Sequence, residues 1–93
     1  MRIKKVTLVV RHPAGLHAKH ASMVVRMAKR YLSEMFISNG KRTVNAKNII
    51  GILRLGIKPG ETIVVSAIGK DADEALSAIK RLVEDNFISD EIS

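Results

Sequence analysis

The sequence contains no cysteine. That excludes disulfide staples, thiolate metal sites and thiol catalysis together, and leaves core packing to hold the fold. Tryptophan is missing too, and the aromatic residues are limited to Tyr31, Phe36 and Phe87. So few rings offer little for unpaired bases to stack on, which argues against nucleic acid as a partner. No apolar run approaches the roughly 18 residues that a membrane span requires. The stretch Val6 to Val10 is also too short for the apolar region of an export signal. No membrane insertion and a cytoplasmic address are therefore expected. Acidic residues are scarce as well, nine against 16 Lys and Arg, for a net charge of +7. That balance attracts phosphates, nucleic acid, anionic lipid or an acidic protein surface, and charge alone does not rank them.

What is present reads as one globular unit. Apolar residues make up 46% and charged residues 27% of 93 residues, enough for one core and too little for two. A single domain over 1–88 is expected, followed by a loose acidic tail over 89–93. From Ile3 to Val10 the residues Val6, Leu8 and Val10 fall on one side and Lys5 and Thr7 on the other, the two-residue period of a half-buried strand. Pro13 and Gly15 break it, and a helix follows at once. Its apolar stripe, Ala21, Val24, Val25, Ala28 and Leu32, recurs at three- and four-residue spacing and predicts a helix from Ala18 to Leu32. Lys19, Met23, Arg26 and Arg30 share a different face.

Further on, Phe36-Ile37-Ser38 and Arg42-Thr43-Val44 flank Asn39-Gly40-Lys41, and Asn-Gly is a strong hairpin signal because both residues tolerate positive φ. Asn48 then stands where an N-cap belongs, ahead of a helix of about two turns that stops near Gly56. In that helix Ile49, Ile50, Ile52, Leu53 and Leu55 spread over roughly 220°, wider than one core-facing stripe, so some must face solvent or a partner. Thr62 to Ile68, rich in β-branched residues, predicts a well-buried strand after Pro59-Gly60. The last helix begins at Asp71, whose side chain suits the cap while Glu74 reaches back, and carries Ala75, Ile79, Leu82 and Val83 inward. The order is βαββαβα, an α+β chain whose helices must lie on one sheet face to make a single core.

The block that points to chemistry is Gly15-Leu16-His17-Ala18-Lys19-His20-Ala21, where a turn delivers a histidine to a helix start. The first amides of a helix, here those of Ala18 and Lys19, have no partner in its own ladder, and the dipole is positive there, so the site suits phosphate. A neutral imidazole would attack phosphorus through its lone pair, and the phosphorylated ring would then meet those amides and the charge of Lys19. The same residues also suit a histidine that merely opens a helix.

Gly15-Leu16-His17-Ala18, a basic residue, one further position and Ala21 together resemble the active-site motif of the HPr family. These are the phosphocarriers of the bacterial phosphoenolpyruvate-dependent phosphotransferase system. Asn45-Ala46-Lys47-Asn48-Ile49-Ile50-Gly51-Ile52-Leu53, Leu55-Gly56 and Glu74-Ala75-Leu76 resemble that family in order and spacing too. The resemblance implies an open-faced β-sandwich, a four-stranded antiparallel sheet with three helices on one face. It implies that His17 is phosphorylated on Nδ1 by enzyme I and passes the group to the A component of a sugar permease or a regulatory equivalent. On this reading the chain is a phosphoryl carrier rather than an enzyme with its own small-molecule substrate, with no cofactor and as a monomer. Ile49, Ile50 and Leu53 match the family's exposed patch, and with His20, Met23 and Arg26 they form the expected docking face.

Three positions depart from the pattern. Lys19 stands where the family usually has arginine, which keeps the charge and loses the planar fork. His20 stands where the family has proline and is read as an exposed helix residue. Pairing it with His17 on a metal lacks a nearby carboxylate or cysteine, so no metal is expected. His12 is read as a loop residue. Asn48 occupies the position of a regulatory serine and offers no hydroxyl to phosphorylate, while remaining a good cap. A regulatory, nitrogen-type relay fits the same residues as sugar uptake does, and a non-phosphorylated basic binding module is the reading from another class.

Overall fold

The computed structural model describes residues 2–88; the expected tail over 89–93 lies outside them. Four strands, β1 (Lys4–Val9), β2 (Glu34–Ser38), β3 (Thr43–Asn45) and β4 (Thr62–Ile68), form one sheet in the order β1-β4-β2-β3. Every neighbouring pair is antiparallel, with Val6 opposite Val65, Ile37 opposite Val65 and Ile37 opposite Val44. Helices α1 (Ala18–Ala28), α2 (Ile49–Arg54) and α3 (Ala72–Glu84) complete the expected βαββαβα open-faced sandwich.

The two-residue period decides which sheet face is covered. Leu8, Met35, Ile37, Ile63, Val65 and Ala67 point inward and are buried, while Lys5, Thr7, Glu34 and Thr62 on the other face are exposed. Although central, β4 is buried on one face only: Val64, Ser66 and Ile68 are half-buried on the open side. Against the covered face lie Ala75, Leu76, Ile79, Leu82 and Val83 of α3, which contacts both β1 and β4. α1 packs on α2 to one side and α3 to the other. Its buried arc is wider than one stripe: His20 and Met23 are buried with Ala21, Val24, Val25 and Ala28.

Three local expectations need correction. α1 ends at Ala28, not Leu32, and Leu32 is 90% exposed. The chain leaves the helix through 3-residue turns, Arg30 to Met27 and Tyr31 to Ala28, and the Leu32 and Ser33 amides then donate to the Asp71 carboxylate at 2.8 and 3.0 Å. For the same reason Asp71 makes no side-chain cap on α3: its oxygens serve the distant loop, joined by the Ser33 hydroxyl. In the hairpin only Gly40 takes positive φ, +91°. Asn39 contributes its side chain instead, accepting from the amides of Lys41 at 2.9 Å and Arg42 at 2.8 Å.

The N-cap of α2 is as read from sequence. Asn48 is extended, and its side-chain oxygen accepts from the amides of Ile50 at 3.0 Å and Gly51 at 3.3 Å. No helix among the described residues is long and apolar enough to cross a membrane.

Candidate functional site

The candidate site is built at the junction between β1 and α1. Val10 follows β1 and exchanges two backbone bonds with the β4 approach, from its amide to the Glu61 carbonyl at 2.9 Å and from the Gly60 amide to its own carbonyl at 2.7 Å. The loop then folds on itself: the Ala14 amide donates to His12 Nδ1 at 3.1 Å and the Gly15 amide to the His12 carbonyl at 2.9 Å. Gly15 has φ +67°, and a Cβ there would collide with the carbonyl oxygen of Ile57, so glycine is required on both counts. Leu16 donates to that same carbonyl at 3.1 Å and buries its side chain in the core. The residue after this anchor is His17.

His17 is the N-cap residue of α1, with φ −89° and ψ −171°, and its side chain makes no cap hydrogen bond. The helix ladder starts with the Ala21 amide on the His17 carbonyl at 2.9 Å, one turn after the amides of Ala18 and Lys19. His17, Ala18 and Lys19 are all exposed, and no acidic residue occupies the first turn. A solvent-facing imidazole beside the positive end of a helix is an arrangement that receives an anion.

His20 is placed differently from the sequence expectation. It is 1% exposed, so it is neither a surface residue nor part of a face that a partner could touch. Its ring centroid lies 4.4 Å from that of His17, 4.1 Å from His12 and 4.7 Å from Phe87. His12, read as a plain loop residue, is thus half-buried in a ring cluster. Among the described residues no group of three or more His, Cys, Asp and Glu is arranged to hold a metal ion, these histidines included.

Met23, also expected on the docking face, is buried at 3% exposure because α3 covers that side of α1. Arg26 is exposed. On α2 and its C-cap the over-wide apolar set divides: Ile52 and Leu55 enter the core, whereas Ile49, Ile50 and Leu53 are 37%, 58% and 39% exposed. Since α1 and α2 are neighbours, this apolar surface sits on the element next to the one that His17 begins.

Phe87 was invisible to sequence reasoning as a site residue. It lies beyond α3 and reaches the cluster only because Asn86 and Phe87 take φ +52° and +64°, uncommon for residues other than glycine. Its amide donates to the Leu82 carbonyl at 2.9 Å, and its ring is completely buried.

Comparison with known proteins agrees with this geometry. Residues 4–85 match the family described as the PTS HPr component phosphorylation site. The chain is 40% identical over 83 residues to the phosphocarrier protein HPr of Mycoplasma pneumoniae, covering 88% of this chain and 94% of the relative. It is 39% identical over 75 residues to the HPr-like protein Crh of Halalkalibacterium halodurans, covering 81% and 89%. Among solved structures, HPr from Thermoanaerobacter tengcongensis superposes with a TM-score of 0.87 at 37% identity, covering 90% of this chain and 94% of that one. The match spans both the strands that frame the loop and the helix that His17 opens, and the chain belongs to the HPr family of the phosphotransferase system.

Proposed function

We propose that this chain carries phosphoryl groups on His17 in the cytoplasm, taking them from phospho-enzyme I and delivering them to the A component of a sugar permease or a regulatory equivalent. The lone pair of Nδ1 forms a bond to phosphorus as the bond from phosphorus to the donor breaks, and the negative charge stays on the phosphoryl oxygens. Those oxygens face the amides of Ala18 and Lys19 and the ammonium of Lys19, which offset the charge. The observation that carries the reading is the exposed His17 at the N-cap of α1, its side chain not spent on capping. Ile49, Ile50 and Leu53 supply the apolar part of the docking face and Arg26 part of its basic rim, a combination suited to acidic partners and brief encounters. His20 and Met23 support that face from beneath.

The chain works as a monomer in this proposal, one molecule docked on one partner, and sedimentation of the isolated chain tests that. Asn48 keeps the helix cap while removing any hydroxyl at that position, so serine-type control is absent at the start of α2. Incubation with phosphoenolpyruvate and enzyme I, followed by intact mass and acid treatment, is expected to yield one acid-labile phosphoryl group. Retention of that group by His17→Ala would place the acceptor elsewhere.

A further inference from the structure

We propose that His20 is a positioning residue for transfer at His17, acting through the packing of its ring; this rests on the phosphocarrier reading above. An exposed histidine at a helix start has two soft torsions, and transfer needs its attacking nitrogen aimed along one line. The side chain of His17 is not tied down by a cap hydrogen bond. Among the described residues, the ring that touches it is His20, at 4.4 Å between centroids and 50° between planes.

His20 can serve as a stop because it is itself held on other sides. His12 packs on it at 4.1 Å and 51°, Phe87 at 4.7 Å and 47°, and Phe87 also meets His12 edge-on at 6.2 Å and 76°. Both supports are fixed by backbone bonds. His12 Nδ1 accepts from the Ala14 amide, and Phe87 is locked through its amide onto the Leu82 carbonyl. The supports come from opposite ends of the chain, one from the loop after β1 and one from the turn after α3. His20, His12 and Phe87 therefore form a closed triangle of tilted rings, and His17, the exposed member, meets that cluster through His20. A reacting group backed by a rigid, solvent-excluded support keeps its orientation without a hydrogen bond to its own nitrogens, which leaves Nδ1 available for phosphorus.

The test compares His20→Ala, His20→Phe, His12→Ala and the wild-type chain as substrates of enzyme I with phosphoenolpyruvate, with urea denaturation to establish folding. His20→Ala is expected to lower the maximal transfer rate about tenfold, within the range that a misplaced reacting group costs. Its KM is expected to stay within about twofold, because docking does not use a buried ring. His20→Phe, which keeps a flat ring and discards the imidazole nitrogens, is expected to recover most of the rate. In nuclear magnetic resonance spectra the His17 ring protons shift away from their wild-type positions in His20→Ala and return towards them in His20→Phe.

Wild-type kcat in folded His20→Ala overturns the proposal, as does a folded His20→Phe as slow as the alanine variant. A rise in KM with kcat unchanged overturns it too. If His20→Ala does not fold, His12→Ala decides: it removes one ring that backs His20, at a half-buried loop position, and a lowered kcat supports the proposal while an unchanged one defeats it. No phosphoryl acceptance by the wild-type chain defeats the phosphocarrier reading and this proposal together; equal rates in all variants defeat this proposal alone.

Discussion

At the scale of single residues, two side chains hold parts of the fold by satisfying backbone amides. Asn48 accepts from two amides at the start of α2, and Asn48→Ala is expected to cost about 1 kcal/mol in denaturant unfolding, with most of the loss restored by serine. Asp71 spans a longer distance in sequence. The Ser33 hydroxyl and then the Leu32 amide, helped by the Ser33 amide, hold its carboxyl below the usual carboxylate range. Because the native pKa lies below the unfolded one, the unfolded state binds more protons between the two. The contribution is therefore complete above the unfolded value and disappears as pH falls through the native value. Asp71→Asn is expected to melt below the wild type at about neutral pH, with the gap closing under acid conditions. A gap that stays constant down to acid pH would show that the charge of Asp71 does not matter.

At the scale of elements, α2 and its C-cap Leu55 sort five apolar residues into two jobs, and mutation separates them. Ile52 is fully buried, and Ile52→Ala is expected to destabilise by about 2–5 kcal/mol. Ile50 is 58% exposed, so Ile50→Ser is expected to stay within about 0.5 kcal/mol of wild type in stability. The same variant should raise the KM for transfer from enzyme I, and an unchanged KM would remove Ile50 from the docking face. This division was legible in sequence, because five apolar positions over seven residues, 49–55, cannot share one helix face. The alternation of β1 and the Asn39-Gly40 turn were legible for the same kind of local reason. The end of α1 was not: the stripe runs on to Leu32, and what stops the helix is Asp71, 39 residues further along. The ring cluster was hidden for a similar reason. A polar residue next to a lysine in a helix reads as surface, and His20 is buried only because His12 folds back over it and Phe87 arrives through two left-handed residues.

At the scale of the whole molecule, the net charge of +7 on so small a body acts on encounter more than on chemistry. It was the least decisive feature of the sequence, since nucleic acid and acidic protein surfaces both answer to it. The structure narrows the choice through its few rings: Phe87 is completely buried, while Tyr31 and Phe36 are half-buried. A stacking platform for bases needs exposed rings along a groove. An apolar patch on α2, together with the basic, exposed start of the neighbouring α1, instead fits a protein partner with acidic rims around an apolar centre. Added salt should therefore lower kcat/KM for transfer from enzyme I by roughly tenfold or more as ionic strength rises from low to above physiological, since steering is screened beyond about 8–10 Å. The rate within the preformed complex should barely change, because the phosphoryl group then moves between groups already in contact. A kcat/KM indifferent to salt would mean that the positive charge does not guide docking. A single-turnover rate that falls in parallel would place the charge in the transfer step itself, at Lys19 and the helix start.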